Sequence, residues 1–353
     1  MTIKVKRNYL NWKPVKHVVF QDDKLAEKIH TKGFSTFQGL SEEQLQQLND
    51  LFNREHSFDV KEGGMFYSMY SRDKEYRKRV HEKIGEILKP TLEKHFQNYK
   101  NVVNAFVVKL PGEKSEFYVH QDTTAMDEFK FSPLSLWIPL HDITENNGAL
   151  AVIEKTQWFF SPYRGVSFAF PFKKINDTIK KYLRPIYMKA GEVLCFDNRI
   201  IHNSMANTSN QPRIAVICGV FPAEATFQTC YRGSEENAPI ELYHHEDNYM
   251  MDYPHFFYNC TDRPHFGEKG KVEKTVFPEM SKEEFEELCE LNNIEVVNEL
   301  KEVEATTTNC QLIAEPDGIN RFEEADAEVA ALVRSKIPQA KRGGFFSFLK
   351  RAK

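Results

Sequence analysis

Leu134-Ser135-Leu136-Trp137-Ile138-Pro139-Leu140, the turn Asn146-Asn147-Gly148 and then Ala149-Leu150-Ala151-Val152-Ile153 decide how this chain folds. Two apolar runs of strand length on either side of a turn tripeptide read as buried strands, because both are too short for a core helix. Working outward, similar segments recur at 104–110, 116–120, 185–188, 193–196 and 213–221, punctuated by Pro111-Gly112 and Ala190-Gly191. Seven or eight strands at this spacing predict a jelly-roll barrel. Helices precede it. Residues 23–55 read as helical with a short extended piece between, Ser41 and Gln44 forming a capping box ahead of the stripe Leu45, Leu48, Leu51 and Phe52. A second helix is expected over 74–88, stopped near Pro90.

The expected class is mainly β with flanking helices. Residues 1–100 are expected to form a helical scaffold packing on the barrel, 101–270 the barrel with a lid insertion at 158–184, and 271–353 an acidic appendage, helical and partly disordered, ending in a basic aromatic tail. Lys and Arg total 47 against 51 Asp and Glu, a net charge of −4, which gives no global basic surface for nucleic acid. No run approaches the roughly 18 apolar residues of a membrane span. The charged first ten residues lack a secretory apolar region, and six scattered cysteines form no CxxC pair, so a cytoplasmic protein with reduced thiols is expected. The 28 Phe and 14 Tyr demand an apolar destination.

The chemistry centres on His120-Gln121-Asp122. On a strand, residues two apart share a face, so His120 and Asp122 can bind one ion together. The pattern alone is weak, since twelve His give about one such motif by chance. A second, His245-Glu246-Asp247, is indeed present, in a polar run that reads as a solvated loop. Context separates them. His120 ends an apolar strand, and another strand-like segment delivers His202 after 191–196. Two His and one carboxylate form the facial triad of non-heme iron oxygenases. Arg213 then opens an apolar strand, and its fork suits the distal carboxylate of a dicarboxylic cosubstrate, with Ser204 on the same face as His202. A surface Arg after a turn is the plainer alternative. Trp137 reads equally as a pocket wall or as core.

These features, His120-Gln121-Asp122, Trp137, the segment 146–153, His202-x-Ser204 and Arg213, together resemble the phytanoyl-CoA dioxygenase family of Fe(II)/2-oxoglutarate oxygenases over roughly residues 30 to 225. The resemblance implies a cupin-like double-stranded β-helix, with His120, Asp122 and His202 holding Fe(II). Arg213, Ser204 and Trp137 would bind 2-oxoglutarate, and O2 would be the co-oxidant. It implies conversion of 2-oxoglutarate to succinate and CO2, coupled to hydroxylation of an unactivated C–H on a small-molecule or acyl substrate. Asp122 is retained where related halogenases have Gly or Ala, which favours hydroxylation. One departure stands out: many relatives follow the 149–153 strand with Pro-Gly-Ser-His, whereas this chain has Glu154-Lys155-Thr156-Gln157.

The insertion carries Trp158, Phe159, Phe160, Tyr163, Phe168, Phe170 and Phe172, then Lys173, Lys174, Lys180, Lys181 and Arg184. It reads either as a lid with cations at the mouth for an anionic substrate group, or as a loop packed on the barrel. His141-Asp142 reads as a structural strand end. Phe345, Phe346, Phe348 and Leu349 among basic residues could give weak peripheral membrane contact through 341–353, or simply fray. The rival to an enzyme is a metal-binding jelly-roll sensor or scaffold with a membrane- or partner-binding tail. Arg213 discriminates, because a sensor without 2-oxoglutarate has no use for it.

Overall fold

The computed structural model describes residues 19–56, 64–71, 73–112, 115–159, 163–165, 172–233, 238–252, 263–264, 268–273, 280–297 and 312–313, all within the first of two compact units, residues 1–318. Phe160, Phe168 and Phe170 of the insertion and the tail 341–353 lie outside the described residues.

Three helices come first, interleaved with short strands: α1 (Asp23–Lys32), β1 (Phe34–Gln38), α2 (Glu42–Glu55), β2 (Met65–Tyr67) and α3 (Lys74–His95). Asp22 caps α1, Ser41 and Gln44 form the expected capping box on α2, and Asp73 caps α3. The α3 helix does not stop near Pro90; it runs through to His95. Pro90 and Glu86, whose carbonyl loses its backbone donor, both face solvent, so water can satisfy the carbonyl and the helix continues.

The barrel strands follow: β3 (Tyr99–Lys109), β4 (Phe117–His120), β5 (Leu134–Pro139), β6 (Leu150–Ile153), the short helix α4 (Asn176–Lys180), β7 (Arg184–Pro185), β8 (Glu192–Asp197), β9 (Ile201–Ser204) and β10 (Arg213–Pro222). Beyond them lie β11 (Phe227–Arg232), β12 (Ile240–His245), α5 (Tyr249–Asp252), β13 (Glu268–Glu273), α6 (Lys282–Leu291) and β14 (Leu312–Ile313). One sheet has the order β1-β8-β5-β10-β3-β2-β14, a second β4-β9-β6-β7, and β11-β12-β13 form a third. The two larger sheets make the jelly roll, so the fold is mainly β with flanking helices.

β5 is buried along its whole length because both faces of its sheet are covered. Leu134, Leu136 and Ile138 alternate toward the helices, in one cluster with Ile29, Leu48, Phe52, Val80 and Ile84. Trp137 points the other way, joining Leu194, Phe196 and Ala215 of its own sheet to Leu150 and Val152 of the second. Leu48 is fully buried, and Leu48→Ala would cost about 2–5 kcal/mol in transfer and cavity terms.

Residues 1–100 therefore supply two strands of the large sheet as well as helices. The acidic segment likewise contributes to the packed body. Helix α6, capped by Ser281 and Glu284, buries Phe285 and Cys289 against Phe159, Phe172, Ile175 and Ile179. Its glutamates line the exposed face, and the apolar pair four residues apart is what the barrel meets. Within the insertion, Phe159 and Phe172 are thus core residues. Among the described residues no helix is long and apolar enough to cross a membrane.

Candidate metal centre

β4 and β9 run antiparallel in a register that sets His120 directly opposite His202. Both imidazoles consequently leave the sheet on one face, with ring centroids 4.2 Å apart. Asp122 follows just past the end of β4, its Oδ1 3.6 Å from His120 Nε2 and 3.7 Å from His202 Nε2. Ligand atoms of the three residues all lie within 4.8 Å of one another, a spacing that could hold a metal ion.

Local hydrogen bonds choose the tautomer. His120 Nδ1 lies 2.9 Å from the Tyr118 carbonyl, and His202 Nδ1 lies 3.0 Å from that of Ile200. A carbonyl only accepts, so each Nδ1 carries the proton and each Nε2 presents its lone pair to the centre. Burial, with His120 beside it, lowers His202 to about 4, which keeps it neutral near pH 7. Burial alone would raise Asp122, but His202, His120 and Arg164 outweigh it and hold the carboxyl below its ordinary range. Two imidazole nitrogens and one carboxylate suit a divalent ion that keeps open positions.

Ser204, two residues beyond His202 on β9, meets a buried cation. Arg213, 1% exposed at the start of β10, lies with its guanidinium carbon 5.0 Å from the centre of the Trp137 ring. Its Nη2 reaches Ser204 Oγ at 3.5 Å, a long hydrogen bond, while among the described residues Nε and Nη1 have no hydrogen-bond partner. Burial pushes it down to about 10, still well above neutrality. A buried guanidinium with two unsatisfied nitrogens is costly unless a carboxylate completes it.

Lys109 was not among the residues read from the sequence. It is fully buried, and its Nζ donates to the carbonyls of Ser204 (2.9 Å) and Met205 (2.6 Å), pinning the end of the strand that carries His202. A lone charge inside the apolar segment 104–110 was the available signal. Arg164 and Glu128, buried beside Asp122, had no comparable signal.

The second motif lies elsewhere. His245 is not on a solvated loop: it is buried at the end of β12, stacked 3.7 Å from Tyr249, with Nε2 2.8 Å from Thr229 Oγ1. Asp247 pairs with Lys100. His141 and Asp142 also stay outside the centre, Asp142 taking hydrogen bonds from Lys189 Nζ (2.7 Å) and the Ala190 N–H (3.0 Å). In the insertion, Lys180 pairs with Glu116 at 2.9 Å, whereas Lys181 and Arg184 are exposed.

Residues 28–215, more than half the chain, match the family model described as phytanoyl-CoA dioxygenase. No curated protein matches the chain. Among solved structures, it is similar to the alpha-ketoglutarate-dependent carbocyclase SnoK of nogalamycin biosynthesis, at 17% identity and TM-score 0.41, over 58% of this chain and 86% of that one. It is also similar to EvdO2 from Micromonospora carbonacea var. aurantiaca complexed with 2-oxoglutarate, at 16% identity and TM-score 0.41, over 59% and 94%. A third is EctD from S. alaskensis with 2-oxoglutarate and 5-hydroxyectoine, at 16% identity and TM-score 0.41, over 61% and 83%.

Proposed function

Because the chain belongs to the phytanoyl-CoA dioxygenase family, we propose that this Fe(II)/2-oxoglutarate-dependent enzyme hydroxylates an unactivated C–H of a small-molecule or acyl substrate. In this reading His120, Asp122 and His202 hold the iron, and Arg213, Ser204 and Trp137 receive 2-oxoglutarate. When bound, iron with 2-oxoglutarate and O2 supplies the oxidising power, giving succinate and CO2 and delivering one oxygen atom to the substrate.

The observation that carries this reading is the pairing of a gathered triad with an unsatisfied buried cation. Among the described residues Nε and Nη1 of Arg213 have no hydrogen-bond partner, so its Nη1–Nη2 edge can grip the distal carboxylate in a fork, with Ser204 Oγ at hand for a further hydrogen bond. The Trp137 ring lies against the guanidinium, and a salt link formed at so buried a place would be strengthened by the low local dielectric. The Nδ1 bonds to Tyr118 and Ile200 keep both Nε2 lone pairs aimed inward before any metal arrives, so little ordering is left to do on binding. Retention of Asp122 supports hydroxylation over halogenation, since all three protein positions on the metal are filled. Beside the triad, Tyr118 is 59% exposed with its ring 5.2 Å from that of His120. An exposed aromatic face there favours a substrate with an apolar body.

The test is an anaerobic titration with Fe(II) and 2-oxoglutarate. A weak charge-transfer band near ~500 nm is expected when a keto acid chelates an open triad. Its absence in the wild-type protein, or an undiminished band in His202→Ala, would overturn the assignment.

A further inference from the structure

The stretch 121–133 that carries Asp122 has no helix or strand of its own. Its shape must come from side chains that grip it. On one side, the Asp122 N–H donates to the Asn198 carbonyl at 2.9 Å, and the Gln121 side chain donates to that of Arg199. On the other side stands Arg164, 5% exposed, from the insertion. Its Nε donates to the Asp122 carbonyl at 2.6 Å, while Nη1 and Nη2 form a fork on Glu128 at 2.8 and 2.7 Å. The backbones lock as well: the Arg164 N–H donates to Thr124 Oγ1 and the Thr124 N–H to the Arg164 carbonyl, each at 2.9 Å.

A buried ion pair contributes little net stability compared with apolar packing of the same volume. What it does supply is direction. The planar fork fixes where the guanidinium lies relative to Glu128, and the remaining Nε–H then fixes the peptide plane of Asp122.

We propose that Arg164 is a positioning residue for the metal centre. It sets the orientation in which the Asp122 carboxylate meets His120 and His202, and it ties the insertion to the metal ligand. Metal binding and local order at 163–165 are therefore coupled, and by linkage the coupling is reciprocal. This inference rests on the reading of the triad as a metal site.

The experiment uses the full chain and Co(II), an oxygen-stable spectroscopic probe. Wild type, Arg164→Met, Arg164→Lys and Glu128→Gln are compared for Co(II) affinity, visible spectrum and exchange of the Thr124 and Arg164 amides. The control is Arg77→Met, which removes another buried guanidinium, held by the Met251 and Ser71 carbonyls. Arg164→Met is expected to weaken Co(II) binding about 10–100-fold, as outer-shell changes do, and to alter the Co(II) bands. Arg164→Lys, which keeps charge without the fork, falls between, and Co(II) slows amide exchange at both positions in the wild type. Arg77→Met lowers Tm but leaves affinity and spectrum in place. If Arg164→Met does not fold, Glu128→Gln carries the test, with several-fold weaker binding expected. Affinity within twofold and an unchanged spectrum in whichever of these variants folds would overturn the proposal, as would amide exchange indifferent to Co(II). A wild type that takes up no Co(II) removes the metal reading itself, whereas indifference confined to the variants removes only the role of Arg164.

Discussion

The chain contains the same three-residue pattern twice, His120-Gln121-Asp122 and His245-Glu246-Asp247, and the two behave as opposites. Both histidines sit at a strand end, and burial lowers the second to about 4. The first motif has His202 as its cross-strand partner, so three ligand atoms converge. The partner of His245 in register is Phe227, and the imidazole is taken up by Tyr249 and Thr229 while its carboxylate neighbour turns to Lys100. The lesson is that a ligand pair becomes a centre through what the adjacent strand presents. Spacing along the chain is identical and decides nothing.

Substitutions at the two motifs test this contrast. The largest expected effect is at the triad: Asp122→Ala or His202→Ala should lower Fe(II) affinity by more than about 100-fold, since losing a ligand exceeds the roughly 10–100-fold of an outer-shell change. His245→Phe should leave it within twofold, and calorimetric titration under anaerobic conditions reads both. Next, Arg213→Met should weaken 2-oxoglutarate binding by on the order of 100-fold, in line with about 2–5 kcal/mol for a buried charged hydrogen-bonded pair. The same change should raise the Tm of the ligand-free protein, because it removes an uncompensated buried cation. Arg263, already paired with Glu241 beside β12, provides the counterpart, and Arg263→Met should leave 2-oxoglutarate affinity unchanged.

Acid should affect the two histidines alike. His202 and His245 are lowered from 6.5 to about 4 in the fold, so the unfolded chain binds protons the folded one does not. Stability is then full above pH 6.5 and lost progressively as the pH falls toward 4. Denaturant midpoints across that window should fall, and His245→Phe should flatten the slope by less than about 1.4 kcal/mol per pH unit. The smallest effect belongs to Asp247→Asn, which breaks an outer ion pair with Lys100 and should shift unfolding by under about 1 kcal/mol.

The central strands β5 and β10 were legible because burial on both faces leaves them mostly apolar, with Ser135 and Arg213 as the exceptions. The third sheet was not. Its strands carry Gln228, Thr229 and His245 at buried positions, where neighbouring groups meet them, and a linear pattern does not display neighbours. The gathering of His120, Asp122 and His202 was legible from order and residue type. Arg164 and Glu128 were silent, because each is an ordinary charged residue until the fold brings them together across 36 positions.

Lys155, which follows the 149–153 segment, has a φ of 67°, in the left-handed region. A non-glycine residue pays about 1–2 kcal/mol there. The lysine answers by reaching across to the carbonyls of Asn292 (2.9 Å) and Asn293 (3.3 Å), just past α6. For anyone trimming the gene, this marks where a boundary must not fall. A fragment ending near 270, where composition changes, would strip Phe285 from its socket and leave Lys155 strained with nothing to hold. One extending past residue 297 keeps both.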